Sequence, residues 1–339
     1  MRLWFGALWF LSLPLFGQSL TKHDAHVLEG KAQGSTWRVL YQGQEQKDLK
    51  AAVEKELAAF DKIFSNYRPD SDISRFNQQP STDWFAVDAD LVTLVELART
   101  VSEKSRGAFD ITIGPLLRVW GFGPFRAKDP KIPGDNDIKA AQKDVDYKKL
   151  LSRRKPPALK KANPNLHVDL SGVAQGYSVD HVAAFLDQRG IASYMVEIGG
   201  EIKTKGRKAD GKPWTLGIDT PDNSGGVAAV LHLEGRGLTT AGDYREYFEK
   251  DGKRYSHTID PRNGRSVQHA LASVSVIAPA VWEADAWDTA FMVLGPEKTR
   301  RMVPQLKTLS VYMILHEGRG FRTESLGGFD KYLSEGSKR

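Results

Sequence analysis

The apolar positions of this chain follow two periods. Near the N-terminus the period is helical: Leu49, Val53, Leu57, Phe60, Ile63 and Phe64 recur at three- and four-residue spacing and predict a helix over 49–64. Leu91, Val92, Leu94, Val95 and Leu97 predict a second helix over 88–101, and Thr36 to Tyr41 alternates as a strand. The second half is rich in strands, predicted over 193–198, 201–206, 214–219, 228–233, 237–241, 244–250, 253–258, 272–277 and 310–315. Asp251-Gly252 supplies the tight turn for one hairpin among them. Helices are predicted over about 174–188, 280–294 and 296–306. Runs of consecutive strands with inserted helices predict an α+β fold, a single large domain on a mainly antiparallel sheet.

Residues 126–161 break this pattern. Lys, Asp and Pro dominate, with Pro130, Pro133, Pro156 and Pro157 and the basic cluster Lys148, Lys149, Arg153, Arg154, Lys155, Lys160 and Lys161. The segment reads as a surface excursion carrying a short helix over 135–142, its charge either solvated or available to an acidic partner.

At the start of the chain, Met1-Arg2 leads into the apolar run Leu3 to Phe16 and then an abruptly polar Thr21-Lys22-His23-Asp24. The run is shorter than the roughly 20 residues a membrane-spanning helix needs, so residues 1–19 read as a signal peptide and 20–339 as the mature domain. Small residues favour cleavage after Ser19, with Gly17 the second choice; an uncleaved anchor is the other reading. The expectation is a periplasmic protein.

Composition narrows the chemistry. The 339 residues are 40% hydrophobic, 10% aromatic and 27% charged, enough apolar content to bury a large core, which excludes wholesale disorder. Cysteine is absent, which removes disulfides, thiolate zinc sites, thiol nucleophiles and a lipidated N-terminal cysteine. Lys and Arg total 48 against 42 Asp and Glu, a net +6 spread among acids, so no nucleic acid partner is expected.

Catalysis must therefore come from oxygen and nitrogen. Asp285, Asp288 and Thr289 fall on one face of a predicted helix whose other residues are mostly apolar. Two carboxylates and a hydroxyl form a hard-oxygen set suited to Mg²⁺; the alternative is an acidic surface face. His167 to Asp180 reads as a strand turning at Ser171-Gly172 into a helix, whose free N–H groups suit an anion such as pyrophosphate, or as an ordinary capped turn. His257, beside Ser256 and Asp260, is a candidate acid or base, or a satisfied structural histidine. Phe109-Asp110, with the aromatics that follow, could bracket a flat heterocycle or begin a core helix.

Taken in order, Gly34-Ser35-Thr36, Ser65-Asn66-Tyr67 with Ser71 to Asn77, Gly107 to Asp110 with Trp120 to Gly123, Val168 to Asp180, Glu197 to Gly200, Thr240 to Tyr244, Ser256 to Pro261 and Ala284 to Thr289 resemble the FAD:protein FMN transferase (ApbE-like) family across the whole mature chain. The resemblance implies a T-fold-related domain. It implies a Mg²⁺-dependent enzyme that transfers FMN from FAD, as a phosphoester, onto a Thr or Ser hydroxyl of a target protein and releases AMP. The family suggests subunits of membrane redox complexes as targets.

Carried over by motif, Asp285, Thr289, Asp288 and the Ala174 carbonyl would hold Mg²⁺. Gln33, Tyr67, Ala108, Phe109, Asp110, Ser171, Tyr177 and Ile259 would contact the flavin and its phosphates. Gln33 stands where the family often has Met, Gln175 stands where Lys is common, and the lipoprotein cysteine is missing, which favours an untethered enzyme. The base that takes the acceptor proton would be His257, with Asp243 the second candidate. The rival readings are an FAD pyrophosphatase on the same scaffold, a non-catalytic envelope flavin-binding protein, and an interaction module using Lys148 to Lys161.

Overall fold

The computed structural model describes residues 25–222 and 224–337, and the signal-peptide expectation for 1–19 lies outside them. Its centre is an eight-stranded sheet with the spatial order Ala25–Ala32, Ser35–Gln42, Tyr194–Ile198, Glu201–Lys205, Gly237–Gly242, Leu271–Ala278, Ser310–Glu317, Gly320–Leu326. Every neighbouring pair is antiparallel, as the succession of predicted strands requires. The first and last strands of that order were not predicted. They are the two edges, and a strand paired on one side and partly solvated lacks the apolar alternation that marks the inner ones.

Seven α-helices are described: α1 (Leu49–Phe64), α2 (Asp72–Gln78), α3 (Ala89–Lys104), α4 (Gly114–Trp120), α5 (Asp135–Gln142), α6 (Ala174–Gln188) and α7 (Val281–Met302). No helix among the described residues is long and apolar enough to cross a membrane. Helix α6 packs on the strands at 194–205, and α7 on those at 237–242 and 271–278. The strand Leu271–Ala278 is buried throughout because both faces are covered. Val274 and Val276 meet the helices, whereas Ile277, with Leu238 and Ile314, meets Leu216, Leu231 and Leu233 of the hairpin Trp214–Asp219/Val227–Leu233 behind the sheet.

The two helices predicted on either side of residue 295 are both present, as the two arms of α7 separated by a kink. Gly295 adopts φ 73°, and Pro296 follows it. Pro296 has no N–H for the Met292 carbonyl one turn back. His269 Nε2 supplies the missing donor at 2.7 Å, and its Nδ1 accepts from Leu271 N at 3.3 Å. A buried carbonyl freed by proline thus finds its partner on a neighbouring strand.

The excursion at 126–161 needs correction in its second half. Leu150–Arg154 and Pro157–Lys161 form a hairpin that joins Phe85–Ala86 in a three-stranded sheet. Leu150 and Leu159 enter the main core, and Lys161, read as part of a surface charge cluster, is fully buried with its Nζ donating to the Asn77 carbonyl at 3.1 Å. Alternate apolar residues were masked there by the density of charge around them. Residues 244–246 form a turn, and the strand predicted from Tyr244 begins at Tyr247.

Candidate active site

The site is organised around the entry to α6. The segment Val168–Leu170 has side-chain amides as substitutes for a strand partner. Asn66 donates to the Val168 carbonyl at 2.8 Å and accepts from Leu170 N at 2.9 Å; Asn77 donates to the same carbonyl and accepts from Val168 N, each at 2.8 Å. The loop that carries Asn66 is tied in turn by Ser71 and Ser74, whose hydroxyls both donate to the Ser65 carbonyl. The polar clusters at 65–67 and 71–77 therefore act as a clamp that fixes where α6 begins.

In front of that entry lies a cavity of about 610 Å³, lined by Gln33 and Gly34, by Phe60, Asp61 and Phe64 of α1 with Ser65, Asn66 and Tyr67 beyond it, and by Leu170, Ser171, Ala174 and Gln175. Gln33 and Gly34 both take positive φ (54° and 72°) in the tight turn between the first two strands of the sheet. A two-residue turn between antiparallel strands requires positive φ at both central residues, and it sets Gln33 at the cavity wall. Ser178 Oγ donates to the Gln33 side-chain oxygen at 3.0 Å and holds it against α6.

Of the flavin residues the motifs indicate, Gln33, Tyr67 and Ser171 line this cavity, as does the metal candidate Ala174. Tyr67 is 70% exposed at the rim. Tyr177 braces the wall from behind, its ring 5.6 Å from that of Phe64 and 6.1 Å from that of Phe60, and burial pushes its hydroxyl up to about 12. Phe109 packs behind the same turn, 3.3 Å from where a Cβ on Gly172 would stand. Ala108 beside it is buried in the core.

Asp110 is committed elsewhere. Its oxygens accept from Thr112 N, Thr112 Oγ1 and Tyr147 N at 2.7–2.9 Å, tying the 110–112 turn to residue 147. Ile259 does not line the cavity either; it is buried in a separate cluster with Leu116, Trp120 and Ile138.

Helices α6 and α7 meet so closely that their N-termini share side chains. A Cβ on Gly176 would come within 2.7 Å of the Val281 carbonyl and 2.8 Å of Asp285 Cβ, so only glycine fits. Gly176 N donates to Asp285 Oδ2 at 2.8 Å. Thr289, one turn along, faces the bend before α6, its Oγ1 3.0 Å from the Cβ position of Gly172. Asp285 and Asp288 are 5% and 2% exposed. Burial first, then the charge of Asp180, pushes Asp285 up to about 7 despite the Gly176 N–H. Burial and the neighbouring Asp285 raise Asp288 as well.

Two buried carboxylates one helical turn apart stay ionised together only beside a cation; without one they hold a proton. Among the described residues no three carboxylate or imidazole groups converge into a protein-only metal site. Two carboxylates, the Thr289 hydroxyl and the oxygens at the α6 entry make a partial hard-oxygen set of the kind that Mg²⁺ would complete with water or ligand oxygens. The residues present therefore fit that ion, with Asp285, Asp288, Thr289 and Ala174 the ones that would hold it.

His257 stands at the end of the strand Lys253–Ser256. Its backbone N and its ring Nδ1 both bond the Glu246 carbonyl at 3.0 Å. A carbonyl only accepts, so Nδ1 carries the proton and Nε2 keeps a free lone pair in the neutral ring. The Glu246 carboxylate lies within electrostatic reach of Tyr67 at the cavity rim. Asp243 points elsewhere: its Oδ2 lies 3.2 Å from His316 Nε2, and it lines a separate cavity of about 290 Å³ with Ser256 and His269. Both base candidates keep a free acceptor atom, Nε2 of His257 and Oδ1 of Asp243, but Asp243 faces the cavity it shares with His316 and His269.

Several residues of the site escaped sequence reasoning. Asp180 accepts from Val281 N and Trp282 N at 2.7 and 3.0 Å and has Lys203 Nζ at 3.6 Å. Glu201 is buried near Asp285, and burial pushes its carboxyl well above the usual range. Asp169, also buried, caps Ser171 N at 2.9 Å. Each lay inside a recognised motif or one residue from it, but only the long-range packing of α6 on α7 shows which of them share a volume.

Residues 33–313 match the ApbE family. The FAD:protein FMN transferase of Escherichia coli (strain K12) is 40% identical over 335 residues, 96% of this chain and 95% of its own length; that of Klebsiella pneumoniae (strain 342) is 42% identical over 316 residues, 91% and 89%. Among solved structures, the flavinyl transferase ApbE of Pseudomonas stutzeri, apo form, superposes with a TM-score of 0.84 at 38% identity, covering 93% of this chain and 99% of that one. The Vibrio cholerae flavin transferase ApbE gives 0.83 at 35% identity, covering 91% and 99%. In sequence and in fold, the chain belongs to the ApbE family.

Proposed function

We propose that this protein is an FAD:protein FMN transferase that moves FMN from FAD onto a Thr or Ser hydroxyl of a target protein, with Mg²⁺ at the α6–α7 junction. The observation that carries the reading is the placement of Asp285 and Thr289 against the turn that opens α6, at the edge of a cavity lined by Gln33, Tyr67, Ser171 and Gln175. Magnesium bound there would withdraw charge from the diphosphate.

The chain's own residues supply positioning and proton transfer. The start of α6 presents the positive end of its dipole to the phosphates. His257 Nε2 takes the proton from the acceptor hydroxyl as its oxygen bonds to the phosphorus on the ribityl side. The bond from that phosphorus to the bridging oxygen breaks, and AMP leaves with the electron pair. The products are a phosphoester-linked flavin on the target and AMP.

The apolar run at the N-terminus supports export to the periplasm without lipidation, and an exported redox subunit would be a suitable acceptor. The test follows AMP release from FAD with and without an acceptor protein. The reading predicts release that requires acceptor and stops on chelation or in Asp285→Ala. Equal release without acceptor would make the protein an FAD pyrophosphatase, and turnover unaffected by chelation would remove the metal site.

A further inference from the structure

The cavity is short of positive charge. Its lining holds one carboxylate, Asp61, and no Lys or Arg, and the carboxylates of Asp285, Asp288 and Glu201 lie buried behind it. A diphosphate entering that field needs a cation beyond any held by Asp285 and Thr289. The structure offers one beside the cavity, at the Gly199-Gly200 turn.

The Gln175 amide, a lining group, occupies the space that a side chain on Gly199 would need. On the next residue the guanidinium of Arg245 lies flat, Nη2 and Nη1 3.4 and 3.5 Å from the Cβ position of Gly200. Both glycines adopt positive φ, 64° and 108°, so the turn is bare where the two side chains cross it. Arg245 is solvent-exposed, yet Glu201 and Asp288 lie within electrostatic reach without closing an ion pair on it. Tyr244 is the side chain that bonds it, and no acid does, so part of the planar fork of donors is left for phosphate oxygens.

We propose that Arg245 binds the diphosphate of the dinucleotide substrate from the Gly199-Gly200 turn, beside Gln175. This rests on the reading of the protein as an FAD-dependent transferase. Arg245 is a specificity-determining residue in this scheme: it distinguishes a flavin that carries a diphosphate from one that does not.

The test is a calorimetric titration of the full chain with FAD and, separately, with riboflavin, which has the same ring system and no phosphate. Arg245→Met is expected to weaken FAD binding by about tenfold or more while leaving riboflavin unchanged. Arg245→Lys is expected to hold FAD affinity closer to wild type, and Gln175→Lys to restore it in the Arg245→Met background, because residue 175 reaches from α6 to the same turn. Equal loss for FAD and riboflavin would make Arg245 a packing residue and overturn the proposal, as would unchanged FAD affinity in Arg245→Met. A wild-type protein that fails to bind FAD would instead overturn the transferase reading on which the proposal rests.

Discussion

Asp180 and Asp285 cap each other's helices: Asp180 on α6 accepts from the first N–H groups of α7, and Asp285 on α7 accepts from Gly176 N in the first turn of α6. The exchange fixes the axial register of the two helices, and with it the position of Thr289 against the bend at Gly172. Removing the Asp180 cap by Asp180→Ala is expected to cost about 1–2 kcal/mol in urea unfolding, with Asp180→Asn close to wild type because its amide oxygen still accepts. Equal losses in the two variants would show that charge, not capping, is what Asp180 contributes.

Gly176→Ala tests the same junction by sterics. The added methyl meets the Val281 carbonyl and Asp285 Cβ below 3 Å, so α7 must move away from α6. Overpacking of this kind costs about 1–3 kcal/mol. Mg²⁺ is expected to raise the melting temperature of the wild type, and the variant should stay folded but lose that rise. A retained Mg²⁺ shift would mean that the ion does not depend on this contact.

His167 provides a pH test outside the metal site. Burial, assisted by the charges of Arg118 and Lys161, lowers it from 6.5 to about 4. A depressed folded value means that stability present above pH 6.5 is lost as pH falls toward 4, since the unfolded chain takes the proton first. Fully developed, the loss is about 3 kcal/mol. Measured against His167→Gln, which cannot titrate, the wild type should lose stability between pH 6.5 and 4; parallel curves would place the protonation elsewhere.

His257→Ala should bind FAD as the wild type does and fail to modify an acceptor. The Nδ1–H tautomer leaves the Nε2 lone pair to take the proton of the acceptor hydroxyl, a step that FAD binding alone does not require. Near-normal transfer by the variant would remove His257 from the chemistry.

How far the sequence anticipated this structure depended on the range of each interaction. The stripe Leu49–Phe64 marked α1 because its partners recur on one face, and Gly295-Pro296 marked the break in α7 because proline acts on its own turn. Asp285 and Thr289 could be paired on one face from spacing alone. Asn66 and Asn77 could not be interpreted, since each acts on backbone about a hundred residues away, at Val168. Asp110 looked like a ligand-facing acid, but its acceptors are taken by residues 112 and 147. Arg245 stands out in the sequence beside Asp243 and Tyr244, but no role follows from that, because its meaning lies in which acids do not pair with it.

The central claim is transfer of FMN to a protein hydroxyl, and the intact mass of the acceptor tests it most directly. After incubation with this protein, FAD and Mg²⁺, an exported acceptor carrying a flavinylation threonine should gain the mass of one FMN less water, with one AMP released for each acceptor modified. An acceptor of unchanged mass alongside free FMN and AMP, or with no turnover of FAD at all, would contradict the account.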